Sequence, residues 1–243
     1  MRIRIVNPNT TTAFTEGCLA VGRGVAAQGT EISATNPAVG TPSVECHLDE
    51  AIATLGIIEA VTAGEAEGVD AYVIACFGDT GLDAAREVAR GPVVGMSEAA
   101  VYAAAMIAPV FSIITLPSRT RVFSERVLQH AGLSHRCSPV RAINVGVSDC
   151  EEHSDLVFQA FVEEARRAIA EDHAEAIILG CAGLEGLAEP LRAALGVPVV
   201  EGVAAGVKMA EGLVSLGLST SKAGGWGFPP AHSRAAAKGA RSA

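Results

Sequence analysis

Two cysteines share a setting. Cys76 ends the apolar run Ala71-Tyr72-Val73-Ile74-Ala75-Cys76, and Cys181 ends Ala176-Ile177-Ile178-Leu179-Gly180-Cys181. Each is followed two residues later by a glycine, then by a helical run, then by Pro-Val-Val starting at Pro92 or Pro198. A thiol with an ordinary pKa near 8.5 is only a few per cent ionised at neutral pH, so it serves as base or acid according to its surroundings. A pair of such groups on opposite faces of one carbon is what a stereoinverting proton transfer requires. One takes the α-proton as thiolate, and the other delivers a proton to the opposite face as thiol. If the C–H is acidic enough the step needs no organic cofactor and no metal, and none is expected. A lone cysteine at a strand end is more often a small buried hydrophobe. The repetition at equivalent positions favours the chemical reading for Cys76 and Cys181, and the remaining cysteines keep the packing reading. Of these, Cys18 falls in a helical run, and Cys137 and Cys150 fall in loop or strand-edge segments.

The neighbours of the pair suit this chemistry. The turn amides of Phe77, Gly78, Ala182 and Gly183 are placed to stabilise an enolate oxygen. A helix starting just after Cys76, capped by Asp79 or Thr80, is expected to draw the thiol pKa toward neutrality. Two proline turns, Asn7-Pro8-Asn9-Thr10 and Leu116-Pro117-Ser118-Arg119, end other apolar runs and belong to the same strand-end surface, where ligands of open parallel sheets bind.

These turns and cysteines recur at nearly constant spacing. Ile5 to Glu16 and Ile114 to Glu125 share Ile, Pro, Thr, Phe and Glu at an offset of 109, and the cysteine segments repeat at 105. Four ordered elements at similar offset imply a duplicated unit of about 105 residues. Each unit reads as an apolar run, a proline turn, a helix, a second long helix (Glu50 to Glu67, Ser154 to Glu171), the cysteine strand, a helix and the Pro-Val-Val strand. Strands alternating with helices imply parallel sheets, and runs apolar throughout imply sheets covered on both faces. The fold class expected is α/β, with two pseudo-symmetric lobes, each a parallel sheet flanked by helices, and the site in the cleft between them. Lobe one is expected over residues 1–108 and lobe two over 109–201, with a helix at 202–218 packing back on lobe one. Residues 219–243 read as a C-terminal extension, disordered from 231 to 243.

Composition narrows the function. Of 243 residues, 49% are hydrophobic and 19% charged, so a sizeable core forms. The net charge of −9 argues against a nucleic-acid surface, and 4% aromatic residues argue against base-stacking platforms. The six cysteines form no CxxC, and Met1 to Pro8 reads as a strand and turn rather than a signal peptide, so a cytoplasmic setting with free thiols is expected. Ala99 to Ser118 lacks charge but is split by Pro109, and reads as a helix followed by a buried strand rather than a membrane span. Gly95-Met96-Ser97 looks like a nucleophile elbow lacking its second glycine, so Ser97 reads as an ordinary helix cap. His135-Arg136-Cys137 and Cys150-Glu151-Glu152-His153 lack partners at zinc spacing.

At these residues the sequence resembles the aspartate/glutamate/hydantoin racemase superfamily, in particular its hydantoin racemase branch, which also contains allantoin racemases. The matching segments are Ile5 to Thr10, Ala75 to Leu82, Val94 to Ala100, Leu179 to Gly183 and Gly217 to Lys222. One departure is Thr80, where family members often have Pro. The resemblance implies cofactor-independent racemisation by Cys76 and Cys181, a substrate site lined by Asn9, Phe77, Gly78, Ser118, Arg119, Ala182 and Gly183, and a homo-oligomer. It implies a small cyclic ureide as partner, in keeping with site turns whose one evident cation is Arg119. Allantoin racemisation is the alternative within the branch. An amino-acid racemase, a decarboxylase (which needs one protonating cysteine) and a two-lobed binding protein are the rivals.

Overall fold

The computed structural model describes residues 1–146, 154–184 and 186–233. Cys150 to His153, which lacks partners at zinc spacing, and most of the tail expected to be disordered, residues 234–243, lie outside them.

The first half of the chain runs β1 (Arg2–Val6), α1 (Thr12–Val25), β2 (Glu31–Thr35), α2 (His47–Glu67), β3 (Ala71–Ile74), α3 (Leu82–Val88), β4 (Val93–Gly95) and α4 (Met96–Ile107). The second runs β5 (Phe111–Thr115), α5 (Arg121–His130), β6 (Arg141–Ala142), α6 (Ser154–Asp172), β7 (Ala176–Leu179), α7 (Ala188–Leu195), β8 (Val199–Val200) and α8 (Gly202–Ser215). Every strand pairing is parallel, and the two sheets have the same order, β2-β1-β3-β4 and β6-β5-β7-β8. The α/β class with two like parallel sheets is thus the observed architecture.

Strands β3, β5 and β7 are buried at every residue, which is why they carry no polar alternation. One apolar core joins the halves, with Ile3, Ile5 and Val73 of the first sheet in the same cluster as Phe111, Ile113 and Ile178 of the second. Helix α4 makes the join. Its alanines (Ala99, Ala100, Ala104) are fully buried and let it lie close to β7 and β8 as well as β4. Helix α8 returns to the first sheet, against α1, α4, β3 and β4. Gly206 permits that approach, since a Cβ there would sit 2.8 Å from Val73.

Residues beyond α8 run along α3 and the turn that follows it. Thr220 donates to the Gly91 carbonyl at 2.8 Å, Lys222 to that of Arg86 at 2.5 Å, and the Trp226 indole to Asp83 at 3.0 Å beneath the Arg86 guanidinium. No helix among the described residues is long and apolar enough to cross a membrane.

Three local expectations change. Each half has a strand, β2 or β6, between its first two helices, where the sequence reads one helix followed directly by the next. Helix α2 starts at His47, three residues before Glu50, because the Asp49 carboxylate accepts the amides of Glu45 and Cys46 and so caps a start that lacks a usual capping residue. The helix after Cys76 begins only at Leu82, is seven residues long, and is preceded by Gly81 in the left-handed region. Neither Asp79 nor Thr80 caps it.

Candidate active site

Cys76 lies two residues past β3 and Cys181 two past β7, at the carboxyl ends of equivalent strands in the two sheets. Both wall one small cavity of about 40 Å³, room for a few waters. Asn9, Phe77, Ala182 and Gly183 line it with them, as do Phe14, Val44, Leu116, Thr115 and Thr120. Gly78 lines instead a larger hollow of about 1010 Å³ on the other side of the Gly78–Leu82 turn, which holds neither cysteine. Ser118 and Arg119 are exposed on a 3-10 turn (Ser118–Thr120) and line neither.

Asn9 is held by its neighbours. Its side-chain oxygen accepts from Asn7 Nδ2 at 3.1 Å and from the Thr11 amide at 2.9 Å, while Asn7 is itself anchored on Thr15 Oγ1 at 3.0 Å. The amide orientation is thereby fixed, and the Nδ2 donor of Asn9 is left for the cavity. Across it, Thr115 and Thr120 share a hydrogen bond of 2.7 Å, and Thr115 donates to the carbonyl of Gly180, next to Cys181, at 3.1 Å.

The Cys76 turn is tied from three sides. The fully buried Ser97 hydroxyl accepts from the Gly78 amide at 2.8 Å and donates to the Cys76 carbonyl at 3.3 Å. Ser97 is therefore a brace rather than an accessible nucleophile, and the Gly78 amide is committed to it instead of to an oxyanion. Asp79, at φ 53°, accepts from the amides of Ser97 and Glu98, both at 2.9 Å, and so caps α4 rather than the helix after Cys76. Arg126 of α5 donates to the Gly78 carbonyl at 3.0 Å.

The electrostatics correct a further expectation. Burial pushes the Cys76 thiol up to about 12; hydrogen bonding at Thr80 opposes this, and the Asp79 and Glu50 carboxylates add to it. The helix that follows Cys76 begins only at Leu82 and does not counter the burial. At neutral pH Cys76 is a thiol. The Cys181 sulfur accepts the Gly183 amide at 3.4 Å.

Of the other cysteines, Cys18 is buried in α1, Cys46 precedes α2, and burial pushes Cys137 up to about 12 beside the second sheet. Cys150 lies outside the described residues. Among those residues no disulfide forms, and no group of three or more His, Cys, Asp or Glu could hold a metal ion.

Sequence reasoning cast Thr80 only as a cap and passed over Glu50 and Arg126, which stand behind Cys76, as well as Val44, Thr115 and Thr120. The duplication did carry a signal for Thr120, which lies one repeat after Thr11.

The family model described as Asp/Glu/Hydantoin racemase matches residues 3–210. A hydantoin racemase of Pseudomonas sp. (strain NS671) is 44% identical over 94% of this chain and 92% of its own. Among solved structures, the allantoin racemase from Klebsiella pneumoniae superposes with a TM-score of 0.92 at 48% identity, covering 94% of each chain. The allantoin racemase from Pseudomonas fluorescens gives 0.91 at 41%, over 94% of this chain and 97% of that one. The chain belongs to the Asp/Glu/hydantoin racemase family and is an isomerase of the racemase type.

Proposed function

We propose that the chain interconverts the enantiomers of 5-monosubstituted hydantoins by two-base proton transfer at C5, with Cys76 and Cys181 as the two groups. The observation that carries this is that both thiols, from equivalent strand ends of two like sheets, wall one cavity. In one direction Cys181 acts as the thiolate base and Cys76, whose burial favours the thiol, acts as the acid. The base takes the C5 proton, the C–H electron pair moves onto the C4 carbonyl as an enolate, and Cys76 delivers its proton to the opposite face as the enolate collapses. The pair holds one proton between them, so the product enantiomer meets the roles reversed. Asn9 Nδ2 and the Phe77 and Ala182 amides supply donors to the ring carbonyls and the enolate oxygen.

The ring needs more room than the cavity offers, so binding opens the lining, to which Val44 contributes from the loop between β2 and α2. A second reading, racemisation of allantoin, is favoured by the two solved allantoin racemases that resemble this chain at 48% and 41% identity. Polarimetry on enantiopure 5-alkyl hydantoin and on allantoin tests both. Decay of rotation with either selects that substrate, and no decay with both overturns the ureide assignment.

A further inference from the structure

Behind Cys76, away from the cavity, lies a group of side chains with no part in the steps above. Thr80 Oγ1 is 3.5 Å from Cys76 Sγ and 3.3 Å from Glu50 Oε1 on α2. The Glu50 carboxylate is gripped by both terminal nitrogens of Arg126, one at 3.1 Å, and by His47 Nδ1 at 3.0 Å. Arg126 belongs to the second half of the chain, and its hold on Glu50 and on the Gly78 carbonyl fixes α2 and the Cys76 turn together. Although burial works to raise the Glu50 pKa, Arg126 and His47 hold it below the usual carboxylate range. Glu50 is thus ionised and can only accept.

A threonine hydroxyl has one proton. While that proton is hydrogen-bonded to Glu50, the Thr80 hydroxyl offers Cys76 only a lone pair, which suits a thiol. When it turns to Cys76 it stabilises a thiolate, by a charge-assisted bond stronger than the neutral one. The two arrangements exclude each other. We propose that Thr80 is a two-way positioning residue for Cys76: its hydroxyl proton rests on Glu50 while Cys76 is a thiol and turns to the sulfur as Cys76 gives its proton to substrate, with Glu50, locked by Arg126, setting the ease of that turn. This rests on the reading of Cys76 as one of the two proton-transfer groups. The titratable and charged groups facing Cys76 are Glu50 from α2 (itself paired with His47), Asp79 from its own turn, Arg126 from α5 and Cys181 across the cavity.

The test reads the thiol without substrate, so it stands apart from the racemase assignment. In a Cys181→Ser background, the rate of Cys76 alkylation by iodoacetamide is followed from pH 7 to 10 by quantifying the Cys76 peptide by mass spectrometry. Thr80→Val, which removes the hydroxyl donor to the thiolate but keeps the backbone amide, should slow alkylation at pH 8 by about tenfold, one pKa unit, and Thr80→Ser should restore it. Glu50→Gln, which removes the competing acceptor charge, should speed it by a similar factor, and that gain should shrink when Thr80→Val is also present. A merely structural role would move both variants the same way. Shifts of the same sign, or no shift in either Thr80→Val or Glu50→Gln, overturn the proposal. Thr80→Val and Thr80→Ser are small changes that decide the matter if Glu50→Gln does not fold.

Discussion

Phe14 of the first half lies against Gly183 of the second: a Cβ at Gly183 would meet the Phe14 ring at 3.1 Å. The reciprocal pair is Phe123 and Gly78, where a Cβ on Gly78 would meet that of Phe123 at 3.0 Å. The phenylalanines are related by the repeat offset of 109 and the glycines by 105, and each glycine follows its cysteine by two residues. Each cysteine turn is therefore packed by a phenylalanine from the other half. The cavity exists because the halves close on each other in this reciprocal way.

Substitutions at this contact should cost both stability and turnover. Phe14→Ala removes a buried ring from the second half's core and should cost about 3–5 kcal/mol. Gly78→Ala adds strain at φ +133° to its steric conflict and should cost about 1–3 kcal/mol. Gly183→Ala, whose one close neighbour is the edge of a ring, should be milder, about 1 kcal/mol. Urea melts check the order, and a Gly183→Ala loss larger than that of Phe14→Ala contradicts it.

Gly95 has a tighter constraint. A Cβ there would lie 2.3 Å from the Asp79 carboxyl. Gly95→Ala should expel Asp79 from the start of α4, release the Cys76 turn and lower kcat at least tenfold, a loss of about 1.4 kcal/mol. An unchanged kcat would show that the cap does not hold that turn.

Asp79 also predicts a pH dependence of stability. Burial, helped by the Glu98 charge, pushes its carboxyl up to about 7 against the two amide bonds, from an ordinary value of 3.8. The folded state holds this proton more tightly than the unfolded chain. Its contribution is fully present below about pH 3.8 and is lost as pH rises through about 7. The drop in melting temperature between pH 5 and pH 8 should therefore be smaller in Asp79→Asn than in the parent. Equal drops contradict the assignment.

The two strands that deliver the cysteines were legible because each is apolar at every position, ends in Cys-x-Gly and recurs at fixed spacing. The Ala-rich helix α4 and the strand after Pro109 were legible from periodicity and the proline. Asn9 and Ser118, equivalent by the repeat, are placed differently for a physical reason. Asn9 is turned inward by Asn7, but one repeat later the position of Asn7 is held by Leu116, which has no amide to offer. Ser118 bonds to Asn144 instead and faces outward. The Glu50–Arg126 pair joins helices 76 residues apart and has no local signature. The pKa of Cys76 was misread because a short helix start six residues away cannot offset burial that only the packed structure reveals.

That burial has its own consequence. With its pKa pushed up to about 12, Cys76 in the Cys181→Ser background should alkylate faster with each step in pH up to at least 10, without a plateau. A plateau below pH 9 would mean a thiolate already formed near neutrality.

The proposed reaction is proton exchange at C5 between two thiols. Its most direct test is proton NMR in D₂O on an enantiopure 5-alkyl hydantoin, with reductant and no added cofactor, read beside polarimetry. Loss of the C5–H signal together with loss of optical rotation is predicted for the parent, and no racemisation for Cys76→Ser or Cys181→Ser. Racemisation that survives in both variants, or rotation that decays while C5–H persists, would contradict the two-cysteine account.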